Sequence, residues 1–116
     1  MADYLLLNRC AVTIVPKSPF WAWVNETSGM DMSFSEQVPD NNMYLIPSYE
    51  SEENIKSAIE NYLKQNYADI FTNELEAWNM DPTTFPEISY TRFNEWFNVH
   101  VHTMIFDTLK NPLKRQ

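Results

Sequence analysis

Glycine occurs once in 116 residues, at Gly29. A loop that cradles phosphate needs several glycines, because the backbone must approach the anion closely. One glycine cannot supply G-x-x-x-x-G-K or G-x-G-x-x-G, and the nucleophile elbow G-x-S-x-G is missing for the same reason. Cysteine also occurs once, at Cys10. No disulfide can close within the chain, no C-x-x-C pair exists, and a reducing compartment fits. Neither H-E-x-x-H nor an EF-hand loop is present. Nucleotide-loop enzymes, common serine hydrolases and structural zinc modules are therefore poor descriptions of this chain.

Positive charge is scarce too. Eight lysines and arginines stand against 16 acids, giving a net charge of -8 and a pI near 4.5. Such a chain is repelled by nucleic-acid phosphates and by anionic membrane surfaces. Lys110, Lys114 and Arg115 make a basic tail, not a binding stripe. Long apolar runs are absent. The N-terminal MADYLLLNRC lacks a basic region and an apolar stretch of useful length, so it does not read as a signal peptide. No run approaches the ~20 residues of a membrane span. The expectation is a soluble cytoplasmic protein with no cofactor and no nucleic-acid or membrane partner.

What is abundant is apolar bulk: 44% hydrophobic residues, 15% of the chain being aromatic. That composition argues against disorder. Surface scaling gives roughly 6,600 Å² exposed when folded against about 20,000 Å² when unfolded. One core is therefore affordable without staples. Residues 1–116 read as a single domain whose tail, 110–116, is loose.

The β-branched run Arg9 to Val15, stopped by Pro16, predicts a strand. Ser18-Pro19 reads as a helix cap followed by proline at the first helical position. That helix runs to about Asn25, with Phe20, Trp23 and Val24 facing the core and Trp21 pointing elsewhere. Ser33 and Glu36 have capping-box spacing, and Pro39 to Asn42 is a turn cluster. Met43 to Ile46 is a short strand. Ser51 is the expected cap of the clearest helix, with Glu52 and Glu53 in its first turn. Its apolar set is Ile55, Ala58, Ile59, Tyr62 and Leu63. A second set, Phe71, Leu75 and Trp78, lies about 120° away around the axis, which predicts a break between Asn66 and Asp69 and two helices. Residues 81–87 form a loop with two prolines. Ser89 opens a short helix with Phe93, Trp96 and Phe97 on one side.

The last strand is expected over Trp96 to Asp107. Its alternation places Phe97, Val99, Val101, Thr103 and Ile105 on one face. Asn98, His100, His102, Met104 and Phe106 fall on the other. The fold class is α+β: a two-layer sandwich, with a small sheet of about three strands and helices on one face. Helical crossovers between neighbouring strands favour parallel pairing.

Four groups could carry function. His100 and His102 share one strand face and could hold a metal, given a third ligand from elsewhere, or act in proton transfer; Asp107 falls on the wrong face by parity. Cys10 could be a nucleophile, but it shares a face with Val12 and Ile14 and reads as core. Glu74, Glu76, Asp81 and Glu87 could pair for acid–base work, against a default of solvated surface. Met104 and Phe106, beside the histidines on an open sheet face, and Trp21, without an evident core role, mark an interaction surface.

The stretches AVTIVPKSPFWAWVN, MYLIP, IFTNELEAWNMDPTTFP and FNEWFNVHVHTMIFD resemble a family of small bacterial proteins without an assigned activity. The most distinctive parts are E-L-x-x-W-x-x-D-x-x-x-x-P, carried by Glu74, Leu75, Trp78, Asp81 and Pro86, and F-x-x-W-F, carried by Phe93, Trp96 and Phe97. The resemblance implies a bacterial, single-domain protein. It also implies that the position of His100 is often acidic and that of His102 more often histidine, which weakens a two-histidine metal site. It supplies no catalytic residue.

The chain thus reads as a protein that binds a protein partner or a second copy of itself through His100, His102, Met104, Phe106 and Trp21. A small metal-dependent enzyme using His100 and His102 is the alternative from another class. An acidic inhibitor or immunity-type protein docking on a basic partner is a third.

Overall fold

The computed structural model describes residues 3–29, 41–49 and 53–116. The elements run β1 (Leu5–Leu6), β2 (Arg9–Pro16), α1 (Ser18–Ser28), β3 (Asn42–Pro47), α2 (Ile55–Glu76), a 3-10 turn (Pro82–Thr84), α3 (Tyr90–Trp96), β4 (Phe97–His102) and β5 (Phe106–Asp107). The three-stranded sheet has the order β3-β2-β4, and the helices cover one of its faces, giving a small α+β fold.

Both pairings in that sheet are antiparallel, against the expected parallel arrangement. Ile14 lies opposite Asn42, so the chain leaves β2 and enters β3 at the same end of the sheet. The segment containing α1 is an excursion out and back, not a crossover. The helical crossover joins β3 to β4, which run parallel to each other but are separated by β2. The expectation was right about the crossover and wrong about which strands are neighbours.

The core face of the sheet carries Cys10, Val12 and Ile14 from β2, all fully buried, with Ile46 from β3 and Phe97 from β4. Helix α1 starts at Ser18, its predicted cap, one residue earlier than expected. Lys17 holds the cap position without a side-chain bond, and Pro19 lies inside the first turn. The helix runs on to Ser28 and is ended by Gly29 at φ 72°, the left-handed conformation that glycine adopts most cheaply.

Helix α2 is one unbroken element of 22 residues, about 33 Å long, where two helices were expected. The reason lies in residues that the two apolar sets omitted. Measured from Ile59, Ile70 falls at about 20°, Leu63 at 40°, Glu74 at 60°, Phe71 at 120° and Leu75 at 160°. These six residues are the buried ones. They form one continuous broad face, and half-buried Tyr67 fills its middle by packing on Tyr90 and Phe93, with ring centroids at 5.5 Å and 6.2 Å. Asn54 caps the helix by accepting from the N–H of Ser57 at 3.1 Å. Ser51 and Glu52, like Ser33, Glu36, Pro39 and Asp40, lie outside the described residues.

Ser89 caps α3 as expected, accepting from the N–H of Arg92 at 3.1 Å. The helix then becomes β4 with no connecting residue. The N–H of Phe97 still donates to the carbonyl of Phe93, while its backbone is already extended. Around this joint Phe93, Phe97, Phe71 and Phe20 are all buried, and the rings of Phe93, Phe71 and Phe20 lie between 5.2 Å and 5.4 Å from that of Phe97.

Strand β4 ends at His102, five residues before the predicted end. The chain then pairs again as β5 with β1, antiparallel, placing Leu6 opposite Phe106. Ala11 lies opposite His102, so five residue steps on one side span four on the other. That extra residue is a bulge between β1 and β2, where the pairing of the main sheet gives way to the separate β1–β5 pair.

Residue pairing predicts the direction of the β4 amides. The N–H of Lys17 donates to the carbonyl of Trp96 at 2.8 Å, which continues the ladder by one pair. Hydrogen-bonded pairs alternate in an antiparallel ladder. The main-chain groups of Asn98, His100 and His102 therefore point to β2, and those of Val99 and Val101 point outward. Amide hydrogen exchange followed by NMR should show His100 protected and Val99 and Val101 exchanging at least tenfold faster; uniform protection along β4 would contradict this register.

Candidate functional site

The sheet face opposite the helices is built by register. Met43, Thr13 and His100 form one cross-strand row, and Leu45, Ala11 and His102 form the next. Ala11 is fully buried between its longer neighbours, while Met43 is 57% and Leu45 50% exposed. Both histidines are exposed. The Nε2 of His102 shares a hydrogen bond with the hydroxyl of Thr13 at 3.0 Å, in a direction set by the imidazole tautomer. The imidazoles thus face outward together, as period-two spacing predicts.

Among the described residues no group of three His, Cys, Asp or Glu side chains is placed to hold a metal. Asp107 sits in β5, opposite Leu5. Cys10 is a free thiol, buried on the core face. Glu76 and Glu87 are exposed. Asp81 caps the 3-10 turn, accepting from the N–H and hydroxyl of Thr83 at 3.0 Å and 2.7 Å. Those two bonds hold its carboxyl below the usual carboxylate range.

Among the described carboxylates Glu74 is the exception, because it is buried. It accepts from the Tyr44 hydroxyl and from the Asn42 amide, the latter at 2.8 Å. Asn73 in turn donates to the Tyr44 oxygen at 2.8 Å. Burial pushes the Tyr44 phenol well above its ordinary range. The Asn73 bond works against that rise, and the bond to Glu74 and the charge of Glu74 add to it. A phenol held protonated is a donor, not a base, so this cluster fastens β3 to α2. Two signals in the sequence pointed to it: a tyrosine at a core-facing strand position, which needs a partner for its hydroxyl, and a glutamate inside the apolar stripe of α2.

The other predicted surface residues do not all gather at the histidines. Met104 and Phe106 are exposed, at 65% and 50%, but lie beyond β4 with the β1–β5 pair. Trp21 is half-buried on the helical side, its ring edge-on to Trp78 at 5.4 Å and to Phe20 at 5.4 Å. It packs against the core and does not join the open face. Sequence reasoning missed Met43 and Leu45, whose alternation with Tyr44 and Ile46 in β3 was readable. Near Leu45, a hollow of about 580 Å³ is lined by Leu7, Arg9, Leu113, Lys114 and Arg115 among others.

No helix among the described residues is long and apolar enough to cross a membrane. The chain matches no family model, no curated protein and no solved structure.

The Glu74 cluster generates a stability test. Tyr44→Phe leaves a buried carboxylate one donor short and should cost about 1–3 kcal/mol in urea unfolding. The folded-state pKa of Tyr44 lies above the unfolded one. The contribution of the neutral phenol is therefore complete below pH about 10 and is lost as pH rises further. Between pH 9 and 11 the wild type should lose stability more steeply than Tyr44→Phe; parallel curves would refute the assignment.

Proposed function

We propose that the protein is a binding module that docks on another polypeptide through the uncovered face of its three-stranded sheet. The observation that carries this reading is the exposure of Met43 and Leu45 on the face that also holds His100, His102 and Thr13. Apolar side chains of this size, contiguous and rimmed by polar groups, are the usual make-up of a contact surface. Leu6, Met104 and Phe106 extend the apolar strip at one end. A stable contact buries roughly 800 Å² per partner.

The rim charge selects the partner. Arg9, Lys114 and Arg115 stand beside Leu45 in a molecule whose net charge is -8. A partner with an apolar centre and an acidic border suits this face. A second copy would bring together two acidic bodies, and a basic enzyme would meet the basic rim first. The free, buried Cys10 suits a reducing compartment, so a cytoplasmic setting belongs to the same proposal, as does the bacterial origin implied by the resemblance. Binding is the reading in preference to catalysis, because no described constellation offers a nucleophile, base and stabilising donors together.

The test compares the wild type with Met43→Glu/Leu45→Glu. Both positions are exposed, so circular dichroism and melting should barely change. Affinity for the partner, measured by calorimetry once it has been captured and purified, should fall more than tenfold, and Arg9→Glu should flatten its salt dependence. Unchanged affinity in the double variant would end the proposal.

A further inference from the structure

The opposite side of the sheet carries a second feature, independent of the open face. Strand β4 is an edge strand: among the described residues nothing pairs with its outer side. The outward main-chain groups there belong to Val99 and Val101, as the Lys17–Trp96 bond and the β2–β4 register require. Their side chains, on the core-facing parity, look toward the N-terminal half of α2. Between that helix and the strand runs an open groove of about 700 Å³. Its walls include Ile55, Ile59 and Leu63 on α2 and Val99 and Val101 on β4. Val101 is 45% exposed.

An edge strand beside an apolar groove presents two kinds of contact at once: a row of N–H and C=O groups, and pockets for alternate side chains. A compact small molecule would use the groove and leave the row unpaired. An extended polypeptide uses both. The charge of the lining completes the description. Among the described residues, Lys17 and Lys56 line the groove against a single acid, Glu60, in a chain with twice as many acids as bases. Lys17 is held in place by donating from its ammonium to the Asn94 carbonyl at 2.8 Å, which leaves further donors free.

We propose that the groove between β4 and α2 is a site for an extended acidic peptide segment, which adds to β4 as a fourth strand. Its main chain pairs with Val99 and Val101. Alternate apolar side chains enter the groove over Ile59 and Leu63, and a carboxylate meets Lys17 or Lys56.

The probes are two blocked peptides of alternating Val and Thr, one carrying Asp and the other Lys at its N-terminus, titrated into the full chain by NMR. The acidic peptide should shift the amides of Val99 and Val101 and the methyls of Ile59 and Leu63, and bind at least tenfold more tightly than the basic one. A version N-methylated at the amides that face β4 should lose more than tenfold in affinity. So should the protein variant Val101→Pro, whose missing N–H does not belong to the β2 ladder, whereas Val101→Thr should bind like the wild type. No shift at millimolar peptide, equal binding of the two charges, or full binding of the N-methylated peptide would each overturn the proposal. So would a dimer formed through β4, because a second copy would then occupy the edge. Loss of the open-face proposal would leave this one untouched, since Met43 and Leu45 lie on the other side of the sheet.

Discussion

The joint at Phe97 governs the molecule. A helix and a strand meet there without a loop, and one residue belongs to both. Its N–H closes the last helical hydrogen bond, and its side chain begins the strand alternation. The arrangement works because Phe93 and Phe97 are four residues apart on the helical side, while Phe97, Val99 and Val101 are two apart on the strand side. Both periods bring Phe97 to the same place, among Phe20, Phe71 and Phe93. Aromatic contacts of this kind contribute about 0.5–1.5 kcal/mol each beyond their burial. The parity of every later residue in β4, including both histidines, follows from this one position.

Strand β2 depends on the same joint. The carbonyls at the end of α3 receive the N–H of Lys17 and its ammonium, from Trp96 and Asn94 respectively. The end of β2 is thereby tied to the end of the helix that feeds its neighbour. On the far edge Tyr44 and Asn42 bind Glu74 on α2. Polar contacts to helices therefore hold the sheet at the end of its central strand and along its β3 edge, while Cys10, Val12 and Ile14 form its apolar centre.

Much of this was legible in the chain. The extents of β2 and β3, the Ser89 cap, the start of β4 and the outward imidazoles follow from local chemistry: a β-branched run, a cap residue, a period of two. What failed depended on partners distant in sequence. Strand direction turned on which strands are neighbours, and no local pattern encodes that. The break expected in α2 vanished because Ile70, Glu74 and Tyr67 widen its buried face, and a helix wedged between sheet and α3 can bury more than a narrow stripe. One strand was expected as far as Asp107, but β4 ends at His102 and Phe106 belongs to β5, because the pairing changes partner from β2 to β1. Trp21 lost its surface role to Trp78, a residue 57 positions away. At the candidate site the two histidines were found from sequence, and their neighbours Met43 and Leu45 were not.

A helix that turns into a strand within one peptide bond leaves no slack. Were one amino acid inserted between Phe97 and Val99, the imidazoles would swing inward and the valines outward, and no spare loop could absorb the offset. The segment before that helix offers no slack either, because the Thr84 carbonyl accepts from the Trp23 indole and Phe85 and Ile88 pack against the core.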